Sequence, residues 1–466
     1  MTQPQPKPRA AGSAASGAGG TQPPEADRLR DMLRSPGYLK SLGLSALVGI
    51  PVSLAAFWFL VALHQLEHLM WATLPETLGW SVPPWWWPLV LLPVAGVVVA
   101  LVVIHLPGAG GHVPAYGLQP GGATSKALPG VIIAALASLP LGATLGPEAP
   151  LIALGGGLAL LFRELTRAPA TPQGIVLLGS AGAAAAIAAI FGNPLIGAVL
   201  LMEVVGVGGP QLFAIMLPAL LSSGVGALVF TGFGRWTGLD TASLRLNLTQ
   251  PFPRLDAGDV VWSLLIALVI GVLVHYVFAA GRFLAVLVAA KTFRTTVLCA
   301  LGAGVCAALY TVITGRTPED VASSGQATMV QLSETPHAFG VGALIAVLVF
   351  KGAAFALCLA GLRGGPVFPT LFLGAAAGVL VAPLPGFGII PGMAAGMAAA
   401  SAAALRLPVS SVVLVVMLLG SISMVPVVIL AAVVAFITTE LLPPGPGVPA
   451  RERHPQPAAA TQQGRP

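Results

Sequence analysis

From Leu42 to Leu442 the chain is a succession of apolar runs broken by glycine and proline. Charged residues make up 8% of the sequence, where a soluble protein carries about 25%. The runs are Leu42–Leu63, Pro88–Leu106, Leu128–Thr144, Leu151–Phe162, Gly174–Phe191, Pro194–Val207 and Leu212–Phe230. They continue as Val260–Ala280, Thr296–Thr314, Val341–Leu362, Phe368–Val381, Gly388–Ala404, Pro408–Leu419 and Val425–Leu442. A full bilayer crossing takes about 20 residues. Several runs are shorter, so broken or re-entrant helices are expected among the crossings. The fold class is an all-α polytopic membrane protein, with the lipid bilayer as its first partner.

What lies outside these runs is polar. Residues 1–40 read as a disordered tail, with no apolar segment of the kind a signal peptide needs. Residues 443–466 read as a second, Pro-rich tail, too short for a regulatory domain. Basic residues gather at both ends, at Arg28, Arg30, Arg34 and Lys40 and at Arg451, Arg453 and Arg465. The positive-inside rule then puts both termini in the cytoplasm, in the plasma membrane, with an even number of crossings. No basic patch is interleaved with aromatics, which argues against nucleic acid as a partner. Cys299, Cys306 and Cys358 sit in apolar runs without metal-ligand spacing and read as small core residues. Trp80 and Trp85–Trp87, beside Pro83-Pro84, read as an interfacial belt.

The polar stretch Thr231–Asp259 divides the membrane domain, 41–442, into halves of about 41–230 and 260–442. The halves repeat each other. Gly146-Pro147-Glu148-Ala149-Pro150 is followed by Leu154-Gly155, and Gly365-Pro366-Val367-Phe368-Pro369 by Leu373-Gly374 at the same offsets. A second pattern follows in the same order, Gly182–Ala189 then Pro194, and Gly396–Ala404 then Pro408. Repeated halves with short interrupted helices are the mark of transport folds, whose substrate sits near mid-membrane at the repeat interface.

The first copy of the motif carries an acid. A carboxylate this deep in apolar sequence costs about 2.5–3.5 kcal/mol on insertion scales. At a helix start Glu148 would meet free backbone N–H groups and the positive end of the helix dipole. It reads as a gate on an anion path, against the plainer reading of a capping carboxylate. Glu203 is the other deep acid. It is a candidate for a proton path, or a structural lock on neighbouring N–H groups. His112, in the glycine-rich break Pro107–Gly122, is a loop residue or an anion donor that would add pH sensitivity. His64, Glu67 and His68 match the H-x-x-E-H pattern of inverted zinc proteases. That pattern has no evident third ligand and falls beside the tryptophan belt. The chain is therefore expected to transport rather than catalyse, with no cofactor and no metal.

Taken in order, these motifs resemble the chloride channel/transporter (CLC) family. The matching stretches are Gly110-Gly111-His112-Val113-Pro114, Gly146-Pro147-Glu148-Ala149-Pro150, Ala188–Pro194 through Glu203, Gly364–Pro369, and Leu405-Arg406-Leu407-Pro408-Val409-Ser410. The resemblance implies two inverted halves of short tilted helices and one anion path per subunit of a homodimer. It also implies a divergent, bacterial-type member without C-terminal regulatory CBS domains. The anion, chloride or a relative, would sit by Gly111, His112, Val113, Ala149, Val367 and Phe368, with Glu148 as the gating carboxylate.

Departures from the family pattern matter. Gly111 stands where members carry an anion-coordinating serine. Pro147 and Pro366 each remove a backbone N–H, and Val367 replaces a phenylalanine. No tyrosine follows Tyr310, so the inner guard of the family is missing. Val204 stands where exchangers have their inner proton-transfer glutamate. Glu203 is one residue away, which turns it about 100° around the helix. The sequence thus points first to a passive, gated anion channel. Proton–anion exchange on the same fold is the alternative, and a zinc intramembrane protease the remote one.

Overall fold

The structure is a computed structural model. It describes residues 30–445 apart from 32, 119–122, 168–171, 207–209, 240, 242–245, 247–253 and 444. The tails 1–29 and 446–466, with Arg28, Arg451, Arg453 and Arg465, lie outside the described residues, as do Gly121, Gly122 and Val207. Among the described residues the architecture is all helical, and eight helices are long and apolar enough to cross a membrane.

The first half holds α1 (Pro36–His68), α2 (Trp87–His105), α3 (Leu128–Ser138), α4 (Glu148–Leu165), α5 (Pro172–Phe191), α6 (Pro194–Val205) and α7 (Pro210–Thr237). The second holds α8 (Ala257–Ala290), α9 (Thr292–Thr314), α10 (Gln326–Glu334), α11 (Val341–Gly361), α12 (Val367–Val381), α13 (Ile389–Leu405), α14 (Pro408–Leu419) and α15 (Val425–Leu441). Helices α6 and α14 each start on a proline, run 12 residues and stop at Gly206 and Gly420. Twelve residues reach about 18 Å at 1.5 Å per residue, well short of a hydrocarbon core about 30 Å thick. Short helices that end inside the membrane are thus built in at the same place in both halves. Helix α13 is apolar on every side and buried from Ile390 to Leu405, as a central helix should be.

The two sequence patterns of each half pack on each other through glycine. A methyl group on Gly155 would strike the Gly182 carbonyl oxygen, and one on Gly374 would strike that of Gly396. Helix pairs α4–α5 and α12–α13 therefore touch backbone to backbone, where dispersion contacts, the main attraction between helices in lipid, are densest. The halves then meet at equivalent residues. Gly146 N–H donates to the Gly365 carbonyl at 2.7 Å and Gly365 N–H to the Gly146 carbonyl at 2.6 Å, in an antiparallel bridge. A pairing of each residue with its own counterpart is what a local two-fold axis requires.

Some boundaries fall elsewhere than sequence periodicity put them. Helix α1 begins at Pro36, inside the stretch expected to be tail, because Ser35 accepts the Tyr38 N–H and Pro36 suits a helix start. Its helical run continues past His68 through a π turn to Thr77. The run Leu128–Thr144 is helical only to Ser138 before breaking at Pro140 and Gly142. Helix α10 lies outside the apolar runs, in the polar stretch between Thr314 and Val341. The tryptophans form more than a belt. Trp71 and Trp87 are buried, and their indole N–H groups donate to the Pro140 and Met70 carbonyls, each at 3.0 Å.

Candidate functional site

Glu148 opens α4 and is 1% exposed. Its Oε1 accepts the Val367 N–H at 2.5 Å. Val367 is its own counterpart in the second half, the first residue of α12, whose N–H has no partner within the helix. The acid of one half therefore occupies the anion-attracting helix start of the other. Its second oxygen, Oε2, has no hydrogen-bond partner. A buried carboxylate oxygen left unpaired is costly. The carboxylate is held by one strong bond and lacks the second that would lock it.

Two cavities flank this residue along the chain. Pro147 lines a small one of about 40 Å³, together with His64, Glu67, Leu145, Ser324 and Gln326. Ala149 and Pro150 line a larger one of about 320 Å³, with Gly111, His112, Thr124 and Arg363.

The sequence-derived site residues divide accordingly. Gly111, His112 and Ala149 share the larger cavity. Gly111 has φ of +97°. A serine there would be strained, so the missing hydroxyl follows from the path of this loop. Ala149, in the first turn of α4, has no intrahelical partner for its N–H, and the residue lines the cavity. Val367 supplies the bond to Glu148. Phe368 is buried and stacks on Phe191, with ring centroids 5.4 Å apart. Val113 packs against the apolar core and is not part of the cavity wall.

Glu203 behaves as a lock. Its carboxylate accepts the Val409 N–H at 3.1 Å, and the Ser410 N–H and hydroxyl each at 2.6 Å, which joins the end of α6 to the start of α14. It lines neither of the two cavities. His64 and Glu67 line the small cavity, while His68 Nδ1 lies 3.2 Å from the Thr73 hydroxyl. Among the described residues no three His, Cys, Asp or Glu side chains are placed to hold a metal ion.

Of the buried cations that escaped the sequence reading, two lie close to this region. Lys351, fully buried in α11, donates to the carbonyls of Asp320, Val321, Ala322 and Ser323 at 3.1–3.3 Å. It thereby ties down a loop that also bonds to Gly142 and Thr144, just ahead of Glu148. Arg363 follows α11, is 5% exposed and lines the larger cavity. Each is a lone charge beside apolar sequence, a signal as plain as that of Glu148. The sequence reading weighed only the acids in that light.

Inverted halves, apolar helices too short to cross a bilayer and a buried carboxylate bonded across the meeting of the halves define a membrane ion-transport protein. The sequence model of the voltage-gated chloride channel family matches residues 112–440, and the chain belongs to that family. The putative ion-transport protein YfeO of Salmonella typhimurium is 26% identical over 350 residues, covering 73% of this chain and 80% of its own. A slow cyanobacterial Cl−/H+ antiporter superposes with a TM-score of 0.70 at 18% identity, over 86% of this chain and 94% of its own. A CLC-type fluoride/proton antiporter gives 0.68 at 20% identity, over 86% and 96%. A eukaryotic CLC transporter gives 0.65 at 21%, over 87% and 72%. At these identities the likeness to the solved structures is one of fold.

Proposed function

We propose that this protein exchanges protons for a small anion, chloride or a relative, with Glu148 as the group that serves both. The observation that carries this reading is the bond from Val367 N–H to the buried Glu148 carboxylate. Ionised, the side chain occupies the donor that an anion would use. Protonated, it loses the charge that holds it there and leaves the position free. One group that alternately takes a proton and yields to an anion links the two movements. The antiporters among the structural relatives support exchange over the passive channel that Val204 suggested. The channel remains the second reading, favoured by the engagement of Glu203 with α14; among the described residues no carboxylate lines the larger cavity.

In proteoliposomes an outward anion gradient should drive proton movement, and Glu148→Gln should keep anion flux while abolishing proton movement and the pH dependence of flux. Wild-type anion flux without proton movement would establish the channel. Unchanged pH dependence in Glu148→Gln would remove the gate assignment. We further propose a homodimer in the plasma membrane with both termini cytoplasmic. A monomer mass in native mass spectrometry, or labelling of a cysteine placed at Arg34 from outside intact cells, would overturn these two points.

A further inference from the structure

Two residues of the His64–His68 pattern line a cavity. His64 and Glu67 stand three residues apart on α1 and so share a helix face. Both line the small cavity, where Thr241, Ser324 and Gln326 are further polar residues and Pro147, the residue before Glu148, is another part of the wall. A water needs about 10–15 Å³ of such space, so a volume of about 40 Å³ holds a short file of about three. The Ser323 hydroxyl, beside Glu67, is buried without a hydrogen-bond partner, and its donor and acceptor sites are free for water.

A second carboxylate acts together with Glu67. Glu319, in the turn Pro318–Asp320, feels the charge of Glu67. Among the described residues neither acid is paired with a cation. The other charged groups around them are engaged. Asp320 accepts the Tyr310 hydroxyl at 2.8 Å and Arg316 Nε at 2.7 Å. Lys351 acts on Glu67 from α11, as His64 does from α1, but its ammonium is held by the carbonyls of residues 320–323. Two carboxylates that interact take up and release protons as a pair. Burial first, then the charges of Glu67 and Asp320, push the Glu319 carboxyl up to about 7, against a bond from Thr317.

Resting on the reading of Glu148 as the gate, we infer that Glu67, served by His64 and Glu319, passes protons through the small cavity to Glu148. Chains of Asp, Glu and His inside a membrane protein mark such routes. The proton leaves the Glu67 carboxyl along the water of the cavity and joins the Glu148 carboxylate, whose Oε2 is buried and unpartnered. Glu67 is left ionised and regains a proton from Glu319 or His64, which in turn draw on the solution at the end of α1. Glu148 loses its charge and leaves the Val367 N–H. The pair Glu67 and Glu319 thus sets how fast the gate is protonated from one face of the membrane, and Glu148 alone sets whether the path is open.

The test is a pH step during recording of chloride current across a planar membrane that holds the purified full chain in one orientation, with the step applied to each side in turn. The rate at which current answers an acid step reports how fast Glu148 takes its proton, in an exchanger and in a channel alike. Glu67→Gln should slow that answer by about tenfold or more for steps from one side only, while the final current at low pH stays as in the wild type. Glu67→Asp should recover part of the rate. From that side the wild-type rate should fall as pH rises through about 7, where Glu319 gives up its proton, and Glu319→Gln should flatten the fall.

A wild-type rate in monodisperse Glu67→Gln would overturn the relay. Equal slowing from both sides would also overturn it, since that marks a damaged gate. Should Glu67→Gln fail to fold, Glu319→Gln decides, and an unchanged fall through about pH 7 overturns the relay. Failure of the gate reading looks different. Current in Glu148→Gln that still answers pH would remove the gate, whereas a silent Glu148→Gln beside a wild-type answer in Glu67→Gln would remove the relay alone.

Discussion

The two helix starts that meet at Gly146 and Gly365 share a backbone path and differ in one side chain. Both begin Gly-Pro, both pack on the next helix through glycine, and each donates a hydrogen bond to the other. Position 148 then carries an acid where position 367 carries valine. Symmetry places the Val367 N–H opposite Glu148, and asymmetry of sequence fills that donor from one side only. The lesson is that the repeat builds the anion-attracting frame, and a single departure from the repeat puts a carboxylate into it.

The sharpest way to break the comparison is to load both glycine contacts equally. Gly155→Val and Gly374→Val each push a side chain into a backbone carbonyl that cannot retreat. Each should cost about 1–3 kcal/mol, seen as a lower unfolding temperature in detergent or as loss of monodisperse protein. Harmless Gly155→Val beside a damaging Gly374→Val would show that the halves are not packed alike.

Exchanging the two side chains sharpens the comparison at the gate. In Glu148→Val/Val367→Glu the acid should reach for the N–H of residue 148, so pH-dependent flux should return where Glu148→Val alone has lost it. Flux in the double variant that ignores pH would mean that the frame is symmetric only near the glycine bridge.

A smaller effect is expected at the other junction between halves. Glu203→Gln keeps the shape but loses the charge in three hydrogen bonds to the start of α14. Because the site is partly exposed, a loss of about 1–2 kcal/mol of stability is expected, with proton coupling unchanged. Proton movement that stops while anion flux continues would instead put Glu203 on a proton path. The smallest effect belongs to His68→Ala, which loses only the contact with Thr73. Transport and thermal stability should both stay close to wild type, and a measured loss of either would reopen the question of that histidine pair.

Much of this was legible in the residues. The apolar runs gave the helices, and the paired motifs gave the halves. The lone acid at a Gly-Pro helix start gave Glu148. Helix ends were less legible, since Pro36 and Ser35 act through capping rather than hydropathy, and α10 is too polar to stand out. Arg363 and Lys351 carried a readable signal that was not weighed. The tryptophans read as an interfacial belt, while the burial of Trp71 and Trp87 depends on the Pro140 and Met70 carbonyls that receive their N–H groups.

By itself the sequence determined a membrane-embedded, twofold-repeated helical chain, because burying this much apolar surface with so few charges leaves no other medium than lipid. Only the tertiary structure decided the partners. The donor to Glu148 lies 219 residues away, and Arg363 reaches the Ala109 carbonyl from the opposite half. Hydropathy is a local property and fixes which segments enter the membrane. Which N–H faces which carboxylate depends on how helix ends from separate halves are brought together, and that is settled by packing.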